Sequence, residues 1–152
     1  MPRAALFDHY RIVERERIPD LLLSRDFNPR DELLLEREPG IEPESTAGSS
    51  VEITDYQLNS IKLEAHIEKP CLLLLSEIDY PSWHATVDGE PVEILKANYC
   101  LRAIPLSPGS REIEFRFRSR ILNISLIISI VTFVIVLAVP IVFRQAAGEK
   151  GR

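Results

Sequence analysis

The chain has 152 residues, 45% of them hydrophobic and 27% charged, with a formal net charge of −5. Residues 1–120 hold 15 Lys+Arg against 22 Asp+Glu, an acidic balance that excludes nucleic-acid binding as the main role. The length gives room for one ordinary domain and a short further element.

Residues 1–19 are studded with charge and lack an apolar core segment, so no secretory leader is expected there. Residues 4–13, AALFDHYRIV, mix β-branched and aromatic residues and predict a strand. A short helix follows from Pro19, which suits a first helical position, with Leu22 and Leu23 expected to turn inward. Asn28 precedes Pro29 and is pushed out of the helical region, so residues 26–30 read as a turn. Residues 31–36, DELLLE, predict a buried strand. Residues 1–37 therefore read as a small strand–helix–strand segment packing on what comes next. Residues 38–50, EPGIEPESTAGSS, bury too little apolar surface to order themselves and predict a flexible loop.

Residues 51–120 carry the period-2 signal of strands. Residues 51–56 and 60–68 pair across a turn at Leu58–Ser60. In the second strand Ile61, Leu63, Ala65 and Ile67 share a packed face, and Lys62, Glu64, His66 and Glu68 a wet one. Residues 71–76, CLLLLS, are apolar throughout and predict a central strand covered on both faces. Asp88-Gly89 between apolar strand ends is the strongest short hairpin signal. Residues 99–106 read as a strand closed by Ser107-Pro108-Gly109. Residues 111–118 alternate again, with Ile113, Phe115 and Phe117 inward. Short strands divided by turns predict a β-sandwich.

Residues 121–143, ILNISLIISIVTFVIVLAVPIVF, carry no charge, and 17 of the 23 are Leu, Ile, Val or Phe. As a helix they would extend roughly 34 Å, against about 30 Å of hydrocarbon. Their insertion gains at most about 5–10 kcal/mol. A strand pair is opposed by the length and by the lack of a turn signal. The expected class is thus α+β, mainly β: a strand–helix–strand start, a β-sandwich-like domain, and one C-terminal transmembrane helix before a tail at 144–152. Ser125, Ser129 and Thr132 fall on one face of that helix. They either pack against a neighbouring helix or bond back to carbonyls one turn earlier. Arg116, Arg118 and Arg120 precede the run and suit a collar on lipid head groups, compatible with a plain solvated strand face.

Cys71 and Cys100 lie in no CxxC or Cys/His cluster, so no metal is expected. They could pair in an oxidising compartment, but two free buried thiols is the favoured reading. No Ser or Cys nucleophile pairs with His9, His66 or His84 at an interpretable spacing. No catalytic residue and no cofactor is assigned. Trp83 suits a carbohydrate-stacking platform, but a core position in a strand after a Tyr-Pro turn is favoured.

Several stretches together resemble one family. Tyr80-Pro81-Ser82-Trp83-His84-Ala85-Thr86-Val87-Asp88-Gly89 is similar to the YPGW-x-A-x-V-D-G stretch of YfhO-like bacterial membrane proteins. Ala97-Asn98-Tyr99, residues 102–106, Pro108-Gly109 and residues 114–117 follow at family-like spacing, then the apolar run. Pro2-Arg3-Ala4, residues 27–30 and residues 33–36 fit the preceding part. Ser82 departs from the pattern, where glycine is usual, and this puts the shape of that turn in question. The resemblance implies a large polytopic protein, glycosyltransferase-like and using lipid-linked sugars, of which this chain matches the C-terminal extracytoplasmic domain and last helix. The acidic catalytic loop of such proteins has no counterpart here. The implied partners are membrane lipid, other transmembrane helices and an envelope glycan. The alternative is a single-pass anchored β-sandwich that binds another protein. Topology is contested: Arg111, Arg116, Arg118 and Arg120 before the run, against Arg144, Lys150 and Arg152 after it, lean toward a cytoplasmic β-domain. The resemblance implies the opposite, a β-domain outside the cell membrane and a cytoplasmic tail, and is followed here.

Overall fold

The computed structural model describes residues 2–119 and 124–136. It divides into two units, Met1–Arg118 and Ser119–Arg152. The first unit is built of two antiparallel-rich sheets. The smaller sheet contains β4 (Ser50–Gln57), β5 (Ser60–His66), β7 (Trp83–Val87), β8 (Glu90–Val92) and β11 (Glu112–Phe117), in the order β4-β5-β11-β7-β8. The larger contains β1 (Ala4–Phe7), β2 (Tyr10–Ile12), β3 (Leu33–Leu35), β6 (Cys71–Ile78), β9 (Leu95–Ala97) and β10 (Leu101–Leu106), in the order β1-β6-β10-β9-β3-β2.

The alternation in the sequence explains how the sheets meet. Ile61 and Leu63 of β5, Ala85 of β7, and Ile113 and Phe115 of β11 form one apolar face. Leu73 and Leu75 of β6, with Ile104 and Leu106 of β10, form the facing layer. This face-to-face core makes the sandwich, and the outer face of the smaller sheet alternates to polar residues such as Lys62, Glu64 and Glu112. β6 lies between β1 and β10, and all of Cys71 to Leu75 are buried, as a fully apolar central strand requires.

The larger sheet also buries its other face. Phe7, Leu33, Leu35, Leu72, Leu74, Leu95, Ala97 and Ala103 form a second core. Its cause lies in the chain path. Phe7 ends β1 and Tyr10 begins β2, yet these strands stand at opposite ends of the strand order. Three residues reach at most about 11 Å, whereas a flat six-stranded sheet is roughly 24 Å across. The sheet must therefore curl so that β1 and β2 approach, and Leu72 and Leu74 lie inside the curl. At the corner, the Asp8 carboxylate accepts from the Thr46 N–H at 3.1 Å and lies 2.6 Å from His9 Nδ1.

Several expectations are corrected here. Residues 4–13 are two strands, because the segment changes partner at the corner: β1 pairs antiparallel with β6, β2 parallel with β3. Of residues 1–37, the strands β1, β2 and β3 are hydrogen-bonded members of the larger sheet. The helix α1 spans Ile18–Leu22 with Pro19 in its first turn, as expected. Its buried anchor is Ile18, which packs with Phe27 and Leu34, whereas Leu23 is 86% exposed. The helix ends at Leu22, so Leu23 falls past its apolar stripe. Residues 38–49 have no helix or strand, and are tied to the domain by Glu44 N–H to Pro70 O at 2.9 Å and by the Thr46 bond.

Tyr99 is not in a strand. Asn98 and Tyr99 take φ of 48° and 78° and form the turn between β9 and β10. Asn98 explains the irregularity: its Oδ1 accepts from Leu34 N–H at 2.9 Å and its own N–H donates to Leu34 O at 2.8 Å. These bonds join β3 to β9 where the ladder supplies one pair, Leu35 with Ala97. The Asp88-Gly89 hairpin is as expected, with φ of 51° and 86° at the two positions.

In the second unit, residues 124–136 are helical and exposed throughout. Among the described residues no helix is long and apolar enough to cross a membrane. Residues 121–123 and 137–143 of the expected span, and the tail 144–152, lie outside the described residues.

Candidate functional site

The end of the sandwich from which β11 exits brings together Trp83, Phe117, Tyr56, Arg3, Arg102 and Glu77. Trp83 opens β7 and sits opposite Phe117 of β11. Their rings meet edge to face, 5.7 Å between centroids and 64° between planes. Trp83 points inward with Ala85 and is half-buried.

Arg102 is the residue that sequence reasoning missed. It is 1% exposed. Its guanidinium lies 4.0 Å from the Trp83 ring centroid and 5.7 Å from that of Phe115. Nε and Nη1 are buried without a hydrogen-bond partner. Burial pulls the guanidinium pKa below its ordinary value, while Glu77, Asp79 and Tyr56 push the other way. The signal was legible: Arg102 shares strand parity with Ile104 and Leu106, so an alternating strand must turn it inward.

Around it lies a polar ring. The Tyr56 hydroxyl donates to Glu77 Oε1 at 2.9 Å, and this bond foremost raises the Tyr56 pKa. The Arg3 guanidinium covers the Tyr56 ring at 4.4 Å and approaches Glu77 at 3.5 Å. Beside Trp83 a groove of about 560 Å³ is lined by Asp79, Tyr80, His84, Glu93 and Arg118 among others. Its carboxylates and imidazole offer hydrogen bonds to a polar partner. Among the described residues no group of three or more His, Cys, Asp or Glu side chains is placed to hold a metal ion.

One face of Trp83 is thus taken by Arg102, and Phe117 meets the ring in an edge-to-face contact. Asp88 serves the fold: Oδ1 accepts from Arg111 N–H at 3.1 Å and Glu112 N–H at 2.8 Å, tying the hairpin to β11. Arg116 donates to Glu114 Oε1 at 2.6 Å, a bond that leads in lowering the Glu114 pKa. Arg118 is exposed, and Arg120 lies outside the described residues. Ser129 Oγ donates to Ser125 O and Thr132 Oγ1 to Ile128 O, each at 2.9 Å. Both hydroxyls are satisfied within the helix and keep lone pairs to accept from a neighbour.

Both cysteines are free, but only Cys71 is buried; Cys100 follows the Asn98–Tyr99 turn and is exposed. The expectation of two buried thiols is corrected for Cys100. Burial foremost, with the Asp8 charge, pushes the Cys71 pKa up to about 11. One thiol is therefore expected to react with an aromatic disulfide reagent in the folded protein and two after denaturation. The unfolded Cys71 thiol ionises first, so the unfolded state binds fewer protons above pH 9. Stability should fall as pH rises from there toward about 11.

Ser82, in the loop between β6 and β7, has φ of 86°. This left-handed conformation strains a residue with a Cβ by about 1–2 kcal/mol, while glycine loses roughly 0.5–1 kcal/mol through chain entropy. Relief exceeds loss, so Ser82→Gly is expected to raise stability by up to about 1 kcal/mol. Urea midpoints of the two proteins measure it.

The family model described as "Bacterial membrane protein YfhO" matches residues 44–129, from the approach to β4 through β11 and into the uncharged run. The chain belongs to the YfhO family. No curated protein and no solved structure matches it. The YfhO match contains Tyr56, Glu77, Tyr80, Ser82, Trp83 and Arg102, so of the site residues named above only Arg3 lies outside the family region. Strands β1 to β3 lie outside it. Ser82 holds a glycine-type conformation at the one position where the YfhO-like stretch departs from glycine.

Proposed function

We propose that this chain is the non-catalytic extracytoplasmic module, with the final membrane helix, of a YfhO-type membrane protein. The observation that carries the reading is the family match, which takes in β4 to β11 and the first part of the uncharged run, to residue 129, as one region. On this reading residues 121–143 span the cell membrane once, and residues 144–152 are cytoplasmic. The sandwich stands over the other helices and supports transfer of lipid-linked sugars to an envelope polymer by contact. Ser125, Ser129 and Thr132 face a neighbouring helix, and Arg116, Arg118 and Arg120 meet lipid phosphates. The acidic surface of residues 1–120 suits a place outside the negatively charged inner leaflet.

Protease added to intact spheroplasts is expected to digest the β-domain and spare the tail. Survival of the β-domain would overturn the orientation. Co-purification in mild detergent tests the rest: a polytopic partner is expected with the parent chain, and less of it with Ser125, Ser129 and Thr132 all replaced by Leu. Each such contact is worth only about 0.6 kcal/mol, so the three are changed together.

A further inference from the structure

Three apolar tips converge where β11 leaves the sandwich. Leu58, in the two-residue turn between β4 and β5, is 90% exposed. Turns of this kind favour Gly, Asn, Asp and Ser, and nothing in the local backbone calls for a leucine. Ile78 and Tyr80, where β6 passes to β7, are 53% and 60% exposed. Exposed apolar residues scattered singly need no explanation; these are not scattered. Asn59 O, next to Leu58, accepts from Phe117 N–H at 2.9 Å, and Ser82 O accepts from Arg118 N–H at 2.8 Å. Both loops are therefore pinned to the last residues of β11, one on each side. The rim also carries the exposed cation of Arg118, with Asp79 as the acid of the same loop.

We infer that this rim, with Leu58, Ile78 and Tyr80 as its tips, rests in the lipid head-group layer of the membrane. The inference rests on the proposed span of residues 121–143. It adds a surface that the span alone does not require. The occupant follows from chain length. Two residues lie between Arg118 and Ile121, three Cα–Cα steps that reach at most about 11 Å, and the polar layer on each side of the hydrocarbon is roughly 5–8 Å deep. A rim pinned to Phe117 on one side and to Arg118 on the other stays close to the start of that reach. Its chemistry matches the layer: Tyr80 has an apolar body and a polar tip, the kind of side chain enriched at membrane–water boundaries. Arg118 suits a phosphate.

The test uses the full chain carrying Cys100→Ser, reconstituted in bilayer discs of phosphatidylcholine and phosphatidylglycerol. Cys71 is buried and stays unlabelled. A nitrobenzoxadiazole label is placed singly through Leu58→Cys, Tyr80→Cys, Ser107→Cys and Val131→Cys. Ser107 lies in the turn between β10 and β11, at the other end of the sandwich. Lipids with a nitroxide on the head group should remove most of the emission at positions 58 and 80 and little at 107. Lipids with a nitroxide on the acyl chain should quench position 131. If 131 is quenched while 58 and 80 behave as 107 does, the rim inference is overturned and the span stands. If 131 escapes quenching, the span fails and the inference falls with it. Positions 58 and 80 shielded from a water-soluble quencher yet untouched by lipid nitroxides would mean a protein partner on the rim, which also overturns it.

Discussion

Trp83→Ala is expected to destabilise the β-domain by about 3–5 kcal/mol, the range for truncating a packed aromatic residue. Trp83 is only half-buried, which taken alone points to the lower figure. Its position raises the effect, because the ring covers the Arg102 guanidinium at 4.0 Å and Phe117 meets it edge to face. Removing the ring takes away a cation–π contact worth about 0.5–2 kcal/mol and leaves a charged group facing a void. Domains of this size hold only about 5–15 kcal/mol in total, so the variant should unfold at a much lower urea concentration. Circular dichroism reads the transition, since Trp83 is the one tryptophan and its fluorescence is lost with it. A loss below about 1 kcal/mol would show that the ring is not a structural lid, and would return weight to carbohydrate stacking.

Arg102→Met is expected to have the opposite sign. The buried guanidinium has two nitrogens without hydrogen-bond partners, so it carries a desolvation cost that the Trp83 and Phe115 rings and the charges of Glu77 and Asp79 offset only in part. Methionine of similar length fills the same space without that cost, and where buried ion pairs are replaced whole by apolar residues the change is often neutral or stabilising by about 1–4 kcal/mol. The lost contacts with Trp83 and Phe115 offset part of this, leaving an expected gain of about 1–2 kcal/mol. Arg102→Ala should instead destabilise, because it adds a cavity in place of the side chain. The pair also couples: in the Arg102→Met background, Trp83→Ala should cost less than in the parent, as no bare charge remains. Urea midpoints for the four proteins of the cycle measure this coupling. A strongly destabilised Arg102→Met would mean that attraction to Glu77 and Asp79 outweighs desolvation, and that Arg102 holds this end of the sandwich together.

The parts of the fold that were legible are those specified by local pattern. β5 and β11 alternate cleanly because each has one packed face and one wet face. The apolar run of β6 marks a strand covered on both sides. Asp88-Gly89 marks a hairpin because few other pairs accept two positive φ values. What was not legible depends on partners far along the chain. The break at Asp8–His9 has no turn signature; it arises because β1 finds β6 and β2 finds β3. β9 has three residues and no periodicity of its own. The Asn98–Tyr99 turn lacks glycine and is held by bonds to Leu34. At the site, Trp83 as a packed residue was within reach of the sequence. Its cover of a buried arginine needed the register that places Leu75 opposite Arg102.

The curl of the larger sheet also determines how the matched region would fare by itself. Both outermost strands, β1 and β2, come from the first dozen residues, and the family match begins at residue 44. A piece cut at that boundary loses β1, β2 and β3 together, leaving unpaired the N–H and C=O groups with which β6 meets β1, while β6 and β9 keep β10 on their other sides. β6 would then present CLLLL as a long, uncharged, pairing-competent border, the kind of surface that templates strand addition between molecules. Pairing with β1 therefore covers a border of β6 that would otherwise be open to strand addition between molecules.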